Sequence, residues 1–413
     1  MLYDSGDTAW VFACTALVML LVVGLGLFHA GMGRSRAALS AIMHVVAAGI
    51  AVSVAWVFVG FSLAYGPDSW SGLVGSLDHA GLVGIANSPE FSRLSIPPIG
   101  LALFHLMVAL VAAAILTGVA ADRMKVGAML AFVAAWSVLV YPTVAHWALG
   151  QDGWLVNWGV LDFGSGTLVG LTAGSSALAL TLVLGPRRTV LNGERPRPHS
   201  LPLALAGAGL VWAGWIGISA GSALEAGGVA ASAALATHAA AIGGVMGWLL
   251  VEKRVTGAAT ASGAAWGGIA GLAAITPAAG YLDPFASVFL GFVAGVVGVL
   301  LAAVWPHRRA DDPMGAMRVH GVSAAMGMLF VGLFGRLIVG ADTEPIGAIL
   351  AGQPALLGKQ VVAILAVCSF SFVGSWVIAA VVRAVTGLRV TPDAEESGID
   401  LAQLGESAYP EAD

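Results

Sequence analysis

LDFGSGTLVGLTAGSSALALTLVLGPRR (161–188) carries one acid, Asp162, near its start and two arginines at its end, with no formal charge between them. As a helix, the uncharged run would extend about 36 Å, enough to cross the ~30 Å hydrocarbon core of a bilayer. Asp162 then sits at the mouth of that run. A carboxylate there is an N-cap that accepts backbone N–H bonds from the first turn, and it also favours a cation at the same end.

Outward from this stretch the pattern recurs. Uncharged intervals run from Asp7 to Arg34, Arg36 to Asp68, Arg93 to Asp122 and Lys125 to Asp152 on one side. On the other they run from Arg197 to Glu225, Glu225 to Glu252, Arg254 to Asp283, Asp283 to His307, Arg318 to Arg336 and Lys359 to Arg383. Together they predict eleven transmembrane helices. Only 10% of the 413 residues are charged and the mean hydropathy is +0.90, whereas a soluble domain carries about a quarter charged residues. Barrel strands would alternate with period two over about 10 residues, and no such pattern occurs. The chain reads as an all-α polytopic membrane protein, and the expected location is the cell membrane. No basic cluster of the kind nucleic-acid binding needs is present.

Basic residues in alternate loops set the orientation. With the N-terminus outside, fifteen of the eighteen Lys and Arg residues fall on the cytoplasmic side, Arg195 among them; the outer side keeps Arg93, Arg336 and Lys359. The C-terminus is therefore expected inside. A membrane domain covers residues 1–386 and a polar cytoplasmic tail 387–413. The loop GPRRTVLNGERPRPHS (185–200) divides the bundle into five helices, five more and a final one. Since five is odd, the second half must cross in the opposite sense, as an inverted repeat. GLFHAG (26–31) and GISAGS (217–222) agree with that reading. The 56 glycines suit helices that approach closely in lipid.

Polar side chains inside the spans are few and are functional candidates by default. His320 opens the tenth span, where a neutral imidazole can exchange one hydrogen bond or relay a proton. His29, His44, His105, His146 and His238 are read chiefly as partners in helix–helix hydrogen bonds, and His105 stands out because it follows Phe104. No two share the spacing that would hold a metal on one helix face, and no cofactor is implied. Cys14 and Cys368 read as small packing residues. There is no phosphate loop, activated nucleophile or paired carboxylate, so the chain is not read as an enzyme.

Several segments resemble the ammonium transporter family (Amt/Mep/Rh): GLGLFHAGMGRSRAALS (24–40), WVFVGFSLAYG (56–66), AHWALGQDGWL (145–155) and LDFGSGTLVGLTAG (161–174). Later ones are GWIGISAGSAL (214–224), SGAAWGGIAGLAAITPAAGYL (262–282), DDPMGAMRVHGV (311–322) and GLRVTPDAEESGIDLAQLGESAY (387–409). The match is collinear over nearly the whole chain. It implies ammonium or ammonia transport through a narrow apolar pore in each protomer of a homotrimer, with a PII-type signal protein as a possible partner at the cytoplasmic face.

Carried over by position, the resemblance makes Ser222 and Asp162 the ammonium-binding pair and Phe104 and His320 pore residues. Four positions depart from the family's pattern. The recruiting tryptophan falls on Leu149, the inner gate phenylalanines on Val108 and Ile218, and the first pore histidine on Gly170. These changes remove a cation–π contact of about 0.5–2 kcal/mol and half of an imidazole pair, leaving His105 as a possible helper. Besides a divergent carrier, the departures admit a non-transporting sensor or regulatory paralogue, or a channel for another small solute.

Overall fold

The computed structural model describes residues 3–194, 197–339 and 342–409; Arg195 lies outside them. Among the described residues, ten helices are long and apolar enough to cross a bilayer: α1 (Ser5–Met32), α2 (Ser35–Tyr65), α3 (Pro98–Ala120), α4 (Val126–Trp158), α5 (Thr167–Leu184), α6 (Leu201–Gly221), α7 (Gly228–Thr256), α9 (Pro284–Val304), α10 (Ala316–Phe334) and α11 (Pro354–Val385). The eleventh predicted span is α8 (Ala261–Ile275), whose 15 residues make it shorter. It rises about 22 Å before passing into a single tight turn, Thr276–Ala278. The cause is local. Pro277 cannot extend the ladder, and the carbonyls of Thr276 and Pro277 accept instead from Gly164 and Phe163, at 2.9 and 3.0 Å.

The two halves meet through small residues. A methyl placed on Gly24 would stand 2.7 Å from the Gly207 carbonyl, and one on Gly214 would stand 2.5 Å from the Leu17 carbonyl. Helices α1 and α6 thus cross antiparallel with their backbones in contact, which only glycine permits here. Between α5 and α10, a methyl placed on Gly174 would stand 2.8 Å from the Gly321 Cα. The first and fifth helices of one half therefore face their counterparts in the other, the geometry of the predicted inverted repeat.

Both fifth helices start alike. Each opens with a wide π-type turn, Thr167–Thr172 in α5 and Ala316–Gly321 in α10. Asp162 accepts from the backbone N–H groups of Gly166 (2.6 Å) and Thr167 (2.8 Å). Asp312 accepts from Ala316 (2.8 Å), Met317 (3.0 Å) and Arg318 (3.0 Å). Donors left over at a helix start are costly in an apolar surround, and one carboxylate answers for each start. Gly170 and His320 each stand eight residues after their aspartate, which makes them equivalent positions.

The face opposite the N-terminus is closed by charge and by the tail. Asp311 is buried against Arg123 and Arg187, the latter at 2.8 Å, while Asp122 pairs with Arg34 at 3.2 Å and Arg187 at 3.4 Å. Burial alone would push the Asp311 carboxyl up, but the two guanidinium groups override it and hold it at about 2. The tail forms two short helices, α12 (Pro392–Ser397) and α13 (Ile399–Leu404), and lies along the helix ends. Asp400 accepts from the N–H groups of Leu39 and Ser40, at 3.0 and 2.7 Å, and Glu395 takes Arg389 side on.

Candidate functional site

At the N-terminal face a cavity of about 200 Å³ opens between α2, α3, α4 and the end of α6; Tyr65, Glu90, His105, Leu149, Gln151 and Ser222 line it. Ser222 caps α6, and its hydroxyl donates to the Ile218 carbonyl at 2.8 Å. Its proton is committed, so its lone pairs are left to accept. His105 Nδ1 lies 3.3 Å from the Leu101 carbonyl. A carbonyl can only accept, so Nδ1 carries the proton and the neutral ring keeps Nε2 as an acceptor. The cavity floor is thus set up to receive N–H donors.

Below the cavity the packing is apolar and tight. The Phe104 ring packs on Gly221, where a methyl would come within 2.6 Å of its edge. Phe104, Val108 and Ile218 are fully buried, as is Trp215 one turn deeper on α6. His320 is also buried and stacks on Trp215 with ring centres 5.8 Å apart and planes 17° apart. Trp215 is pinned by its indole N–H, which donates to Thr276 Oγ1 at 2.8 Å. His320 Nδ1 has no hydrogen-bond partner among the described residues. A buried ring nitrogen left open costs free energy.

Ser222, Leu149 and His105 thus meet at the cavity, and Phe104, Val108, Ile218 and His320 follow beneath it. Trp147, two residues before Leu149, points elsewhere: its indole donates to the Leu73 carbonyl at 2.8 Å and its ring packs on Phe370. Asp162 is not brought to the cavity, although its neighbours Phe163 and Ser165 line it. Its oxygens are engaged by Gly166 and Thr167, and burial pushes its carboxyl up against the pull of those bonds.

Gly170 has no room for a side chain. A methyl there would collide with the Cβ of Ala324 and stand 3.2 Å from the His320 carbonyl. The space beside His320 is occupied by α10 itself. Of the remaining histidines, His44 Nε2 lies 3.1 Å from the Met124 carbonyl and His146 Nδ1 3.1 Å from the Ala64 carbonyl, both across element boundaries.

Four functional candidates escaped the reading of the sequence: Tyr65, Glu90, Trp215 and Asp312. Asp312 had a signal, since its spacing to His320 repeats that of Asp162 to Gly170. Trp215 sits in GWIGISAG, where aromatic packing is the ordinary expectation. Glu90 lies in an irregular loop, where a charge reads as solvated.

The pattern that defines the Ammonium Transporter Family matches residues 9–409. An ammonium transporter of Bacillus subtilis is 38% identical over 99% of this chain and 100% of its own length. Among solved structures, Mep2 of Candida albicans superposes with a TM-score of 0.87 at 30% identity, covering 99% of this chain and 91% of the other. A protein described as a sensor Amt protein superposes equally, TM-score 0.87 at 27% identity, with 97% and 98% covered. This chain belongs to the ammonium transporter family.

Proposed function

We propose that the chain transports ammonium by taking it at the cavity around Ser222 and passing it, as ammonium or the ammonia it yields, between Phe104, Val108 and Ile218 to His320. Ammonium transport itself follows from family membership. The single observation that carries the route is the buried His320, stacked on Trp215 with an open ring nitrogen directly below an acceptor-lined cavity.

Each residue has a physical part in this reading. Ser222 and His105 accept N–H bonds as the solute leaves water. Phe104, Val108 and Ile218 hold the passage dry, which penalises a hydrated alkali ion that cannot shed its shell. His320 offers a lone pair or a proton to the solute or to a water behind it. Gly170 supplies no second imidazole, so a single histidine serves the pore. Asp162 acts from the side: it holds the start of α5 and adds negative potential below the cavity.

The proposed setting has the N-terminus outside and residues 387–413 as a cytoplasmic tail. The pore lies within one chain, so in the homotrimer we propose each protomer would conduct alone. The tail face would be the one offered to a PII-type signal protein.

The likeness to a sensor Amt protein supports one competing reading, in which the tail reports ammonium at the cavity and no flux occurs. Methylammonium uptake into liposomes containing the purified protein decides between them. Transport predicts saturable uptake above that of empty liposomes; absent uptake with ammonium-dependent protection of the tail from proteolysis supports the sensor.

A further inference from the structure

We propose that Glu90 is the cation-recruiting charge of this transporter, standing in for the aromatic contact that Leu149 cannot make. The inference rests on the transport reading above and names a specificity residue for the same cavity.

Glu90 lies in the loop between α2 and α3, on the short turn Pro89–Phe91. It is the one residue of formal charge among the described residues that line the cavity, across which stands the Ser222 hydroxyl. Its backbone is tied down, because the Gln151 side-chain amide donates to the Glu90 carbonyl. Gln151 follows Leu149 by two residues, so this bond fixes the loop over the position where an aromatic ring is missing. Its Oε2 is turned inward, 3.7 Å from His79 Nε2, with which it pairs when that imidazole is protonated, while the side chain as a whole keeps about a fifth of its surface exposed. Tyr65 also lines the cavity, while its hydroxyl is buried and without a hydrogen-bond partner among the described residues.

The Glu90 carboxylate and the Ser222 lone pairs on one small cavity form a set that lacks N–H donors. An ammonium ion has four, and a positive charge. In a half-buried site, attraction to a carboxylate a few ångströms away exceeds what an exposed aromatic face supplies. The arrangement selects a small monovalent cation bearing N–H groups and concentrates it above Phe104. Dehydration then follows at the ring.

The test is uptake of radiolabelled methylammonium into liposomes by the wild type, Glu90→Gln and Glu90→Asp, at low and high salt. Glu90→Gln is expected to raise KM about tenfold with maximal rate nearly unchanged, since the charge binds the cation at the mouth and leaves the passage intact. Glu90→Asp should recover most of the affinity. Wild-type KM should rise with ionic strength while that of Glu90→Gln should not, a difference that a merely structural role would not produce. A KM for Glu90→Gln within twofold of wild type, or an equal salt dependence, overturns the assignment of Glu90 and leaves transport standing. Absence of wild-type uptake overturns both. Elution of each variant as the wild-type oligomer confirms that the fold is kept.

Discussion

Gly170 shows how little a residue's identity says without its neighbour. Read along the chain, it is an imidazole that has been lost. In the fold it is the point where α5 crosses α10, and Ala324 fills the volume a side chain would need. Restoring the histidine alone is therefore expected to fail: Gly170→His overpacks the crossing and costs about 1–3 kcal/mol or more, lowering the melting temperature in detergent. Adding Ala324→Gly should return most of that stability. An unchanged melting temperature for Gly170→His alone contradicts this account. Ser222, Phe104 and His320 could be named as candidates from the sequence because their motifs surround them closely. The Gly170–Ala324 contact could not, because its partners sit in different halves of the chain. Glu90 was hidden for another reason, as nothing in a loop's sequence shows that a carboxylate will be covered.

The decisive elements are the two broken starts of α5 and α10. Asp162 was recognisable as the acceptor for the start of α5, although the N-cap position itself is Gly166, four residues on. Its counterpart Asp312 was not, because three other charges crowd the same segment, at Asp311, Arg308 and Arg309. Each aspartate replaces water for several backbone donors at once, so the cost of losing it should exceed that of an ordinary cap. Asp162→Ala and Asp312→Ala are each expected to destabilise by about 2 kcal/mol or more. Asp162→Ala should also reduce transport, because the turn it holds leads to the helix that backs His320. Amide exchange at Gly166 and Thr167 is the direct check: faster exchange in Asp162→Ala is expected, and wild-type protection would contradict the capping role. The short α8 was misjudged in length only. The sequence shows an apolar interval but not that Thr276 and Pro277 turn their carbonyls to the loop carrying Asp162.

Across the whole molecule, charges missing from the spans are gathered at the tail face. There they do a structural job that composition alone presents as an orientation signal. Arg123 and Arg187 converge on Asp311 from the ends of α3 and α5, binding the two halves at the tail face. Asp311 is held at about 2, below its unfolded value, so its contribution is fully present above that unfolded value. It is lost as pH falls through about 2 and amounts to roughly 2 kcal/mol. Asp311→Asn should thus melt well below wild type at pH 7, with the gap narrowing as pH drops from about 4 towards 2; a gap that stays constant over this range contradicts the coupling. The fold class and the halves were legible because lipid imposes length and charge rules on every span. The closed base and the laced tail were not, since they depend on which loop ends the inverted repeat brings together.

All three scales bear on the proposal that a single histidine, His320, serves a dry passage. The most direct test records ammonium-evoked currents from proteoliposomes on a solid-supported membrane, for wild type and His320→Ala at matched protein content. The account predicts a saturable wild-type current and a loss of about tenfold or more in His320→Ala, the scale of removing a proton-relaying group. A wild type silent to ammonium, or a His320→Ala current equal to it, would contradict the account.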